Sequence, residues 1–131
     1  MNDQIPPRGG HASGLRRWCV ADAYLPSGSS HGIESHESAC LLNTSVEDAL
    51  VLLTFFFEDR DPIGPVELRL TARRSWHVRL TDPTVLSGIE LPRDTPFAYS
   101  VESNLPIVVQ HSRLDTSVGG YTLATTIAYG E

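Results

Sequence analysis

The sequence predicts an all-β fold, a small antiparallel β-sandwich of the jelly-roll type. Apolar and polar residues alternate in short segments, most clearly at 66–70 and 76–80, as expected for strands with one buried face. Clusters of turn-forming residues separate the segments, and the chain contains 9 prolines and 10 glycines. A length of 131 residues is typical of a single domain. Eight short strands in one domain of this size favour a sandwich over a helical bundle.

The elements follow in order along the chain. Residues 1–15 are predicted to form a disordered tail, because prolines and glycines are frequent there and apolar residues are few, and residues 16–131 to form the domain. The predicted strands are 18–24, 37–43, 49–58, 66–71, 76–80, 97–102, 107–111 and 121–129. The longest connection, residues 81–96, is expected to be a surface loop with one short strand or a helical turn.

Two local arrangements are also predicted. Residues 71–75 are expected to close a hairpin between 66–70 and 76–80, with Glu67 facing Arg79 across it. Leu105, flanked by Asn104 and Pro106, is expected to form a turn between two separate strands.

The segment 50–57 is apolar almost throughout, which indicates a strand covered on both faces. In so small a domain a partner subunit most easily supplies the second cover, so we expect an oligomer.

Charge and hydropathy narrow the class of protein. The formal net charge is −6 and every basic residue is arginine, which argues against general binding of nucleic acid or of an anionic membrane surface. Residues 1–17 have no apolar core of a signal peptide, and 49–57 is shorter than the ~20 residues that cross a bilayer. We therefore expect a soluble cytoplasmic protein without membrane insertion, in which Cys19 and Cys40 are buried thiols rather than a disulfide.

Polar side chains at the ends of apolar strands are the candidate site. Buried polar groups are costly unless they pair with each other or with a ligand. Arginine side chains can bind hydroxyls or anions, amide and carboxylate groups can complete a polyol site, and Trp76 or Tyr99 could serve as a stacking platform. The alternative is that these side chains brace loops or a subunit interface, where arginine is enriched. The candidate ligand-binding residues are Asn43, Arg73, Arg74, Trp76, Arg79, Gln110, His111, Arg113 and Asp115.

Catalytic and metal sites are less well supported. His36 and Glu37 are neighbours on one strand and therefore point to opposite faces, so they are a poor start for a metal site. Ser112, His111 and Asp115 lie on one strand end, where the geometry of a catalytic triad is difficult to form. We expect no catalytic activity, no metal and no cofactor.

Several motifs identify a family. They are the strand 36–43 with its His-Glu start, the Pro-Ile-Gly-Pro turn at 62–65, ARRSWHVR at 72–79, SNLPIVVQHSRLD at 103–115 and TIAYG at 126–130. In these motifs the chain resembles the sensory rhodopsin transducer family, soluble partners of a cyanobacterial retinal photoreceptor. The resemblance implies an all-β sandwich assembled as a flat tetramer, similar to carbohydrate-binding sandwiches, with mobile loops on one face. Trp76 and Gly119–Gly120 depart from the family pattern.

Two functions remain open. In the first, the chain is a non-catalytic signalling or ligand-binding module that binds a small sugar-like ligand and relays its state to a partner. In the second, it is a protein-interaction adaptor for a membrane photoreceptor or another sensor. Both are compatible with a homotetramer.

Overall fold

The computed structural model describes residues 12–131, which contain ten β-strands and no helix. The strands are β1 (Leu15–Ala23), β2 (Ser29–Ser30), β3 (Ile33–Glu34), β4 (His36–Asn43), β5 (Ala49–Phe57), β6 (Ile63–Leu70), β7 (Arg74–Arg79), β8 (Phe97–Asp115), β9 (Thr122–Ile127) and β10 (Tyr129–Gly130). All pairings are antiparallel. The predicted all-β antiparallel fold is confirmed, and the jelly-roll connectivity stays a prediction.

Strand β8 organises the domain, because its two halves belong to two arrays of strands. The N-terminal half pairs with β1 and β5, and β10 and β6 extend this first array at its two sides. The C-terminal half pairs with β4 and β9, and β7 extends the second array beyond β4. The short β2–β3 hairpin stands apart.

One apolar core joins the two arrays. Alternate residues of β5 and β6 are buried, as the period of two predicts for strands with one covered face. Phe55 packs against Phe97 and Tyr99, with ring centroids 6.3 and 6.1 Å apart. Trp18 and Tyr99 are also buried in this core, so Tyr99 is not an exposed stacking platform.

The predicted hairpin between 66–70 and 76–80 is wrong. Strand β6 pairs with β5 in the first array, whereas β7 pairs with β4 in the second. Glu67 therefore lies opposite Leu52 and Arg79 lies opposite Ser38, and these two charged residues do not face each other. Alternation describes which face of a strand is buried but not which strand lies beside it, so the sequence could not exclude this pairing.

The predicted turn at Leu105 is also wrong. Residues 97–115 form one continuous strand of 19 residues, in which Pro106 is accommodated where β8 passes from one array to the other. The proline lies between the residues that pair with β5, which end at Ser103, and those that pair with β4, which begin at Val108. A proline is tolerated at such a position because the missing N–H interrupts no ladder of the sheet interior.

Strand β5 is covered on one face only within the single chain. Val51, Leu53 and Phe55 are fully buried, whereas Leu50 and Phe56 are 46% and 41% exposed. The predicted cover of the second face by a partner subunit stays a prediction.

Residues 1–11 of the predicted tail lie outside the described residues, and β1 already begins at Leu15. The segment 81–96 consists of turns, with a hydrogen bond from Leu86 N to Asp82 O at 3.2 Å, as expected for a loop with a helical turn. Within residues 12–131, no helix is long and apolar enough to cross a membrane.

Candidate functional site

A cleft of about 370 Å³ opens between β1 and the segment that runs from β9 to β10. Residues 19–22 form one wall and residues 124–129 form the other. The two walls meet where Cys19 of β1 pairs with Tyr129 of β10, and the preceding residue, Ala128, donates its N–H to Val109 O of β8 at 3.1 Å. The volume lies within the ~300–1,000 Å³ typical of small-molecule sites.

Two side chains of β8, His111 and Arg113, lie at the base of this cleft. Their strand positions face Ala39 and Glu37 of β4, so both project to the inner side of the second array. His111 is buried, whereas the Arg113 side chain is 31% exposed. The cleft therefore ends on a polar base beneath walls that are mostly small or apolar.

Glu37 connects these two residues. Its carboxylate is fully buried and accepts a hydrogen bond from Tyr24 N at 2.8 Å and another from Arg113 Nε. Arg113 also reaches Asp22, with Nη2 3.6 Å from Oδ1. Burial of a carboxylate without a partner is energetically costly, and the ion pair with Arg113 offsets this cost for Glu37.

His111 joins the same network from the other side. Its Nδ1 lies 2.7 Å from the Tyr99 hydroxyl, and its Nε2 lies 3.3 Å from Glu37 Oε1. The geometry at Nε2 is unsuitable for a hydrogen bond to Glu37, so this buried nitrogen has no hydrogen-bond partner among the described residues. The network thus holds one polar atom that a ligand or a small rotation of the ring could satisfy.

The ionisation of this network follows its burial. Desolvation raises the pKa of Tyr99 well above its ordinary value, and the negative charge of Glu37 acts in the same direction. For Arg113, burial acts to lower the pKa, but the hydrogen bond and charge of Glu37 outweigh it and hold the pKa above its ordinary value. At neutral pH the network therefore contains a neutral tyrosine and a charged guanidinium.

Of the nine candidate residues predicted from the sequence, only His111 and Arg113 line this cleft. Asn43 is buried at the end of β4, where its amide donates to Glu47 O and Leu70 O at 2.8 and 3.1 Å and its oxygen accepts from Ser45 N at 2.9 Å. These bonds brace a turn and leave Asn43 no free group for a ligand.

The remaining candidates are spread over several surfaces. Arg73 and Arg74 are exposed at the turn before β7, where Arg74 Nη1 donates to Arg73 O at 3.0 Å. Trp76 is half-buried and packs against the edge of the core, opposite Leu41. The structure therefore does not bring these three residues to the cleft.

Three further candidates lie away from the cleft as well. Gln110 and Arg79 lie on the outer face of the second array, and Arg79 Nη2 lies 3.2 Å from His36 Nδ1. Asp115 accepts hydrogen bonds from the backbone and hydroxyl of Ser117, at 2.9 and 2.6 Å, and so closes the turn after β8.

Sequence reasoning missed the part of Glu37 and Asp22 in the network. For Glu37 a signal was present, because a glutamate at an inward position of β4, in phase with Ala39 and Leu41, requires a buried cation. Asp22 carried no such signal, since its side chain is 90% exposed and only the fold brings it to Arg113. No group of three or more metal-ligating side chains occurs within residues 12–131.

A second feature is the loop-end surface, which consists of Ile33 in the β2–β3 hairpin and of Val118 and Tyr121 in the loop between β8 and β9; the Tyr121 ring lies 6.0 Å from the His31 ring of the hairpin turn. These side chains are 44%, 81% and 51% exposed. The loops beneath are tied together: Thr116 Oγ1 donates to Ile33 O at 2.7 Å, and Ser30 Oγ donates to Thr116 O at 2.6 Å. An apolar patch on braced loops is suited to contact with another protein.

The comparisons with known proteins agree with this fold. The family model of the Anabaena sensory rhodopsin transducer matches residues 13–130. The chain belongs to this family. Its structure is similar to the Anabaena sensory rhodopsin transducer itself, with a TM-score of 0.71 and 42% identity over 79% of this chain and 91% of that chain.

A further relative in the transducer family's fold comes from Thermotoga maritima. The crystal structure of Thermotoga maritima 1070 has a TM-score of 0.79 and 40% identity, covering 90% of this chain and 96% of that chain. No curated protein sequence matches the chain. The resemblance to the sensory rhodopsin transducer family expected from the sequence motifs is confirmed.

Proposed function

We propose that this chain is a non-catalytic signalling adaptor that binds a membrane sensor protein of the sensory rhodopsin type. The observation that carries the proposal is membership of the transducer family over residues 13–130, which is almost the whole domain. The loop-end surface supplies a suitable contact, because its apolar side chains are exposed on loops that hydrogen bonds hold in place. The proposed place of action is the cytoplasm, where a soluble adaptor meets the inner loops of the sensor.

Binding to a sensory rhodopsin in lipid nanodiscs tests this proposal. Val118→Asp places a charge in the loop-end surface and is expected to weaken binding about tenfold or more, since apolar contacts at an interface centre commonly contribute more than ~1 kcal/mol. Val46→Asp is the matched control, because Val46 is 72% exposed but follows the far end of β4. Equal affinities of the two variants would contradict the assignment of the surface, and an absence of wild-type binding would contradict the sensor partnership.

The same proposal includes a homo-oligomer, with the tetramer as the expected state. The outer face of β5 supports it, because Leu50 and Phe56 lie exposed on the same side of the strand as Leu52. Light scattering on the purified protein should give about four times the 14.4 kDa of one chain. Phe56→Glu is expected to lower that mass, since a charge at the centre of an apolar interface must be desolvated.

The cleft favours a second function, the binding of a small sugar-like ligand. Arg113, Asp22 and the unsatisfied His111 Nε2 offer donors and acceptors at the base of a cavity of suitable volume. The carboxylates of Glu37 and Asp22 offset the guanidinium charge, so a neutral polyol fits better than an anion.

Titration calorimetry with monosaccharides and polyols tests the cleft directly. Ala124→Leu is expected to abolish binding, because residue 124 lines the cleft on the inner side of β9. Leu123→Ala is the control, since Leu123 lies exposed on the same strand and does not line the cleft. Binding that both variants retain would place the ligand elsewhere.

A further inference from the structure

Strand β7 leaves one edge of the second array free. It pairs with β4 on one side, and within residues 12–131 no strand pairs with its other side. All of its residues except Trp76 and Val78 are exposed. A free edge of this kind can accept an extended segment of another chain as an additional strand.

The backbone groups that this edge offers can be assigned. Leu80 N donates to Glu37 O of β4 at 2.9 Å, and the pairing of β4 with β7 continues from there without a register shift. Donor direction alternates along an antiparallel strand, so the N–H groups that point away from β4 are those of Ser75, His77 and Arg79. The carbonyl groups of the same three residues also point outward, so the edge presents both donors and acceptors.

The same edge carries positive charge that no carboxylate neutralises. Arg73, Arg74 and Arg79 form no ion pair in the part of the chain that the structure describes. Most of the other arginines there do form one, namely Arg17, Arg60, Arg69, Arg93 and Arg113. Burial and then the charge of Arg79 lower the pKa of His36, whose Nδ1 lies 3.2 Å from Arg79 Nη2. β7 therefore has a basic edge in a chain whose formal net charge is −6.

The charge of this edge selects the kind of partner. A second copy of β7 would bring the same arginines to the contact, and like charges oppose such pairing. The cytoplasmic loops of membrane proteins carry an excess of lysine and arginine, so the basic edge repels them as well. An acidic segment is attracted, because guanidinium groups bind carboxylates through paired, charge-assisted hydrogen bonds.

We propose that the free edge of β7 binds an extended acidic segment of a second protein, distinct from the sensor, which adds to the sheet as a strand. The centre of the segment pairs with the outward backbone groups of β7, and its carboxylates meet Arg79 at one end and Arg73–Arg74 at the other. At ~3.3 Å per residue the two ends are about 17 Å apart, so the acidic residues are separated by about five positions. Trp76, half-buried at the margin of the core, offers an apolar contact to the middle of the segment.

Fluorescence anisotropy with the full-length protein tests this proposal, with the labelled peptide Glu-Glu-Thr-Val-Thr-Val-Glu-Glu as the probe. Binding is expected at low ionic strength and should weaken as salt is added, because the contacts at both ends are charged. The control peptide Glu-Glu-Thr-Pro-Thr-Pro-Glu-Glu keeps every carboxylate but lacks two of the N–H groups that strand pairing needs. It is expected to bind roughly tenfold more weakly or worse. Equal affinities of the two peptides would reduce the contact to surface charge and overturn the addition of a strand.

Variants of the protein locate the contact. Arg79→Gln is expected to weaken binding of the probe about fivefold, whereas Arg60→Gln, which removes the same charge from the loop between β5 and β6, is expected to leave it unchanged. His77→Pro removes an outward N–H but no hydrogen bond to β4, and is expected to weaken binding roughly tenfold or more. His77→Ala keeps that N–H and is its control. If His77→Pro does not fold, the peptide that contains proline makes the same test from the side of the ligand.

The outcomes separate this inference from the proposed function. A wild type that does not bind the probe, or equal affinities of Arg79→Gln and Arg60→Gln for it, would overturn the inference and leave the sensor partnership standing. A wild type that binds the probe but not the sensor would overturn the proposed function alone. Loss of sensor binding in Arg79→Gln but not in Arg60→Gln would show that the edge serves the sensor, and would overturn a second partner.

Discussion

Replacement of Arg113 by glutamine is expected to destabilise the protein through Glu37 rather than through Arg113 itself. Glu37 is fully buried, and Arg113 Nε is the charged donor to its carboxylate. In Arg113→Gln the carboxylate keeps the bond from Tyr24 N at 2.8 Å and the neighbouring His111 ring at 3.3 Å, but no arginine. The variant thus leaves a buried charge without its main counter-ion.

The magnitude follows from how far each partner is buried. Removal of one member of a buried ion pair costs ~3–5 kcal/mol. Because the Arg113 side chain is 31% exposed, solvent screens part of the interaction, and we expect the lower end, about 3 kcal/mol. Glu37→Gln keeps the shape of the side chain and leaves Arg113 partly hydrated, so we expect it to lower the free energy of unfolding by only about 1–2 kcal/mol. The double variant should cost little more than Glu37→Gln alone.

Urea unfolding of the wild type, both single variants and the double variant gives the coupling free energy directly. A coupling of about 2 kcal/mol or more is expected. A cost below ~1 kcal/mol for Arg113→Gln, or a coupling below ~0.5 kcal/mol, would refute the reasoning, because Glu37 would then not depend on the arginine for its charge.

Three further predictions concern backbone space and titration. Gly14→Ala should lower the free energy of unfolding by more than ~1 kcal/mol, because φ is +101° and the new Cβ would lie 1.9 Å from a backbone oxygen of β8. Gly88→Ala is the control for backbone strain without a clash, because φ is +85° there and no atom lies within 4 Å of the new Cβ. Thermal unfolding of both variants measures the difference. Burial and then the charge of Arg79 hold the pKa of His36 below 6.5, so stability linked to this group is present above pH 6.5 and falls in more acidic solution. Arg79→Gln should raise that pKa in an NMR titration, and an unchanged value would contradict the contact. Burial raises the pKa of Tyr99 well above 10.0, so the contribution of the neutral tyrosine to stability is present below pH 10.0 and falls as the pH rises past that value. Tyr99→Phe should therefore reduce the loss of stability at alkaline pH in unfolding experiments. An equal loss in the variant and the wild type would contradict this prediction.

The candidate site was only partly visible in the sequence. The polar end of the segment 107–115 pointed to His111 and Arg113, and these two residues do lie together at the cleft. Arg73 and Asn43 belonged to the same class of polar strand-end residue, yet one is exposed at a turn and the other braces a loop. Residue type alone does not distinguish these outcomes, because each depends on which strand lies alongside.

The sequence by itself determined the local properties of this protein. Alternation with a period of two identified the strands and their inner faces, and the burial of Val66, Leu68 and Val78 follows that pattern. Side-chain chemistry and backbone geometry act over a few residues, so such features can be read directly from the chain. The motifs also sufficed to indicate the family.

Only the tertiary structure decided which strands became neighbours. β6 and β7 alternate in the same way but join different arrays, and β8 continues through Pro106 to serve both. Strand pairing is a long-range choice made by the packing of the whole core, and many pairings satisfy the same local pattern. The cleft and its network arise from that choice, because Asp22, Glu37 and Arg113 meet only once β1, β4 and β8 are assembled.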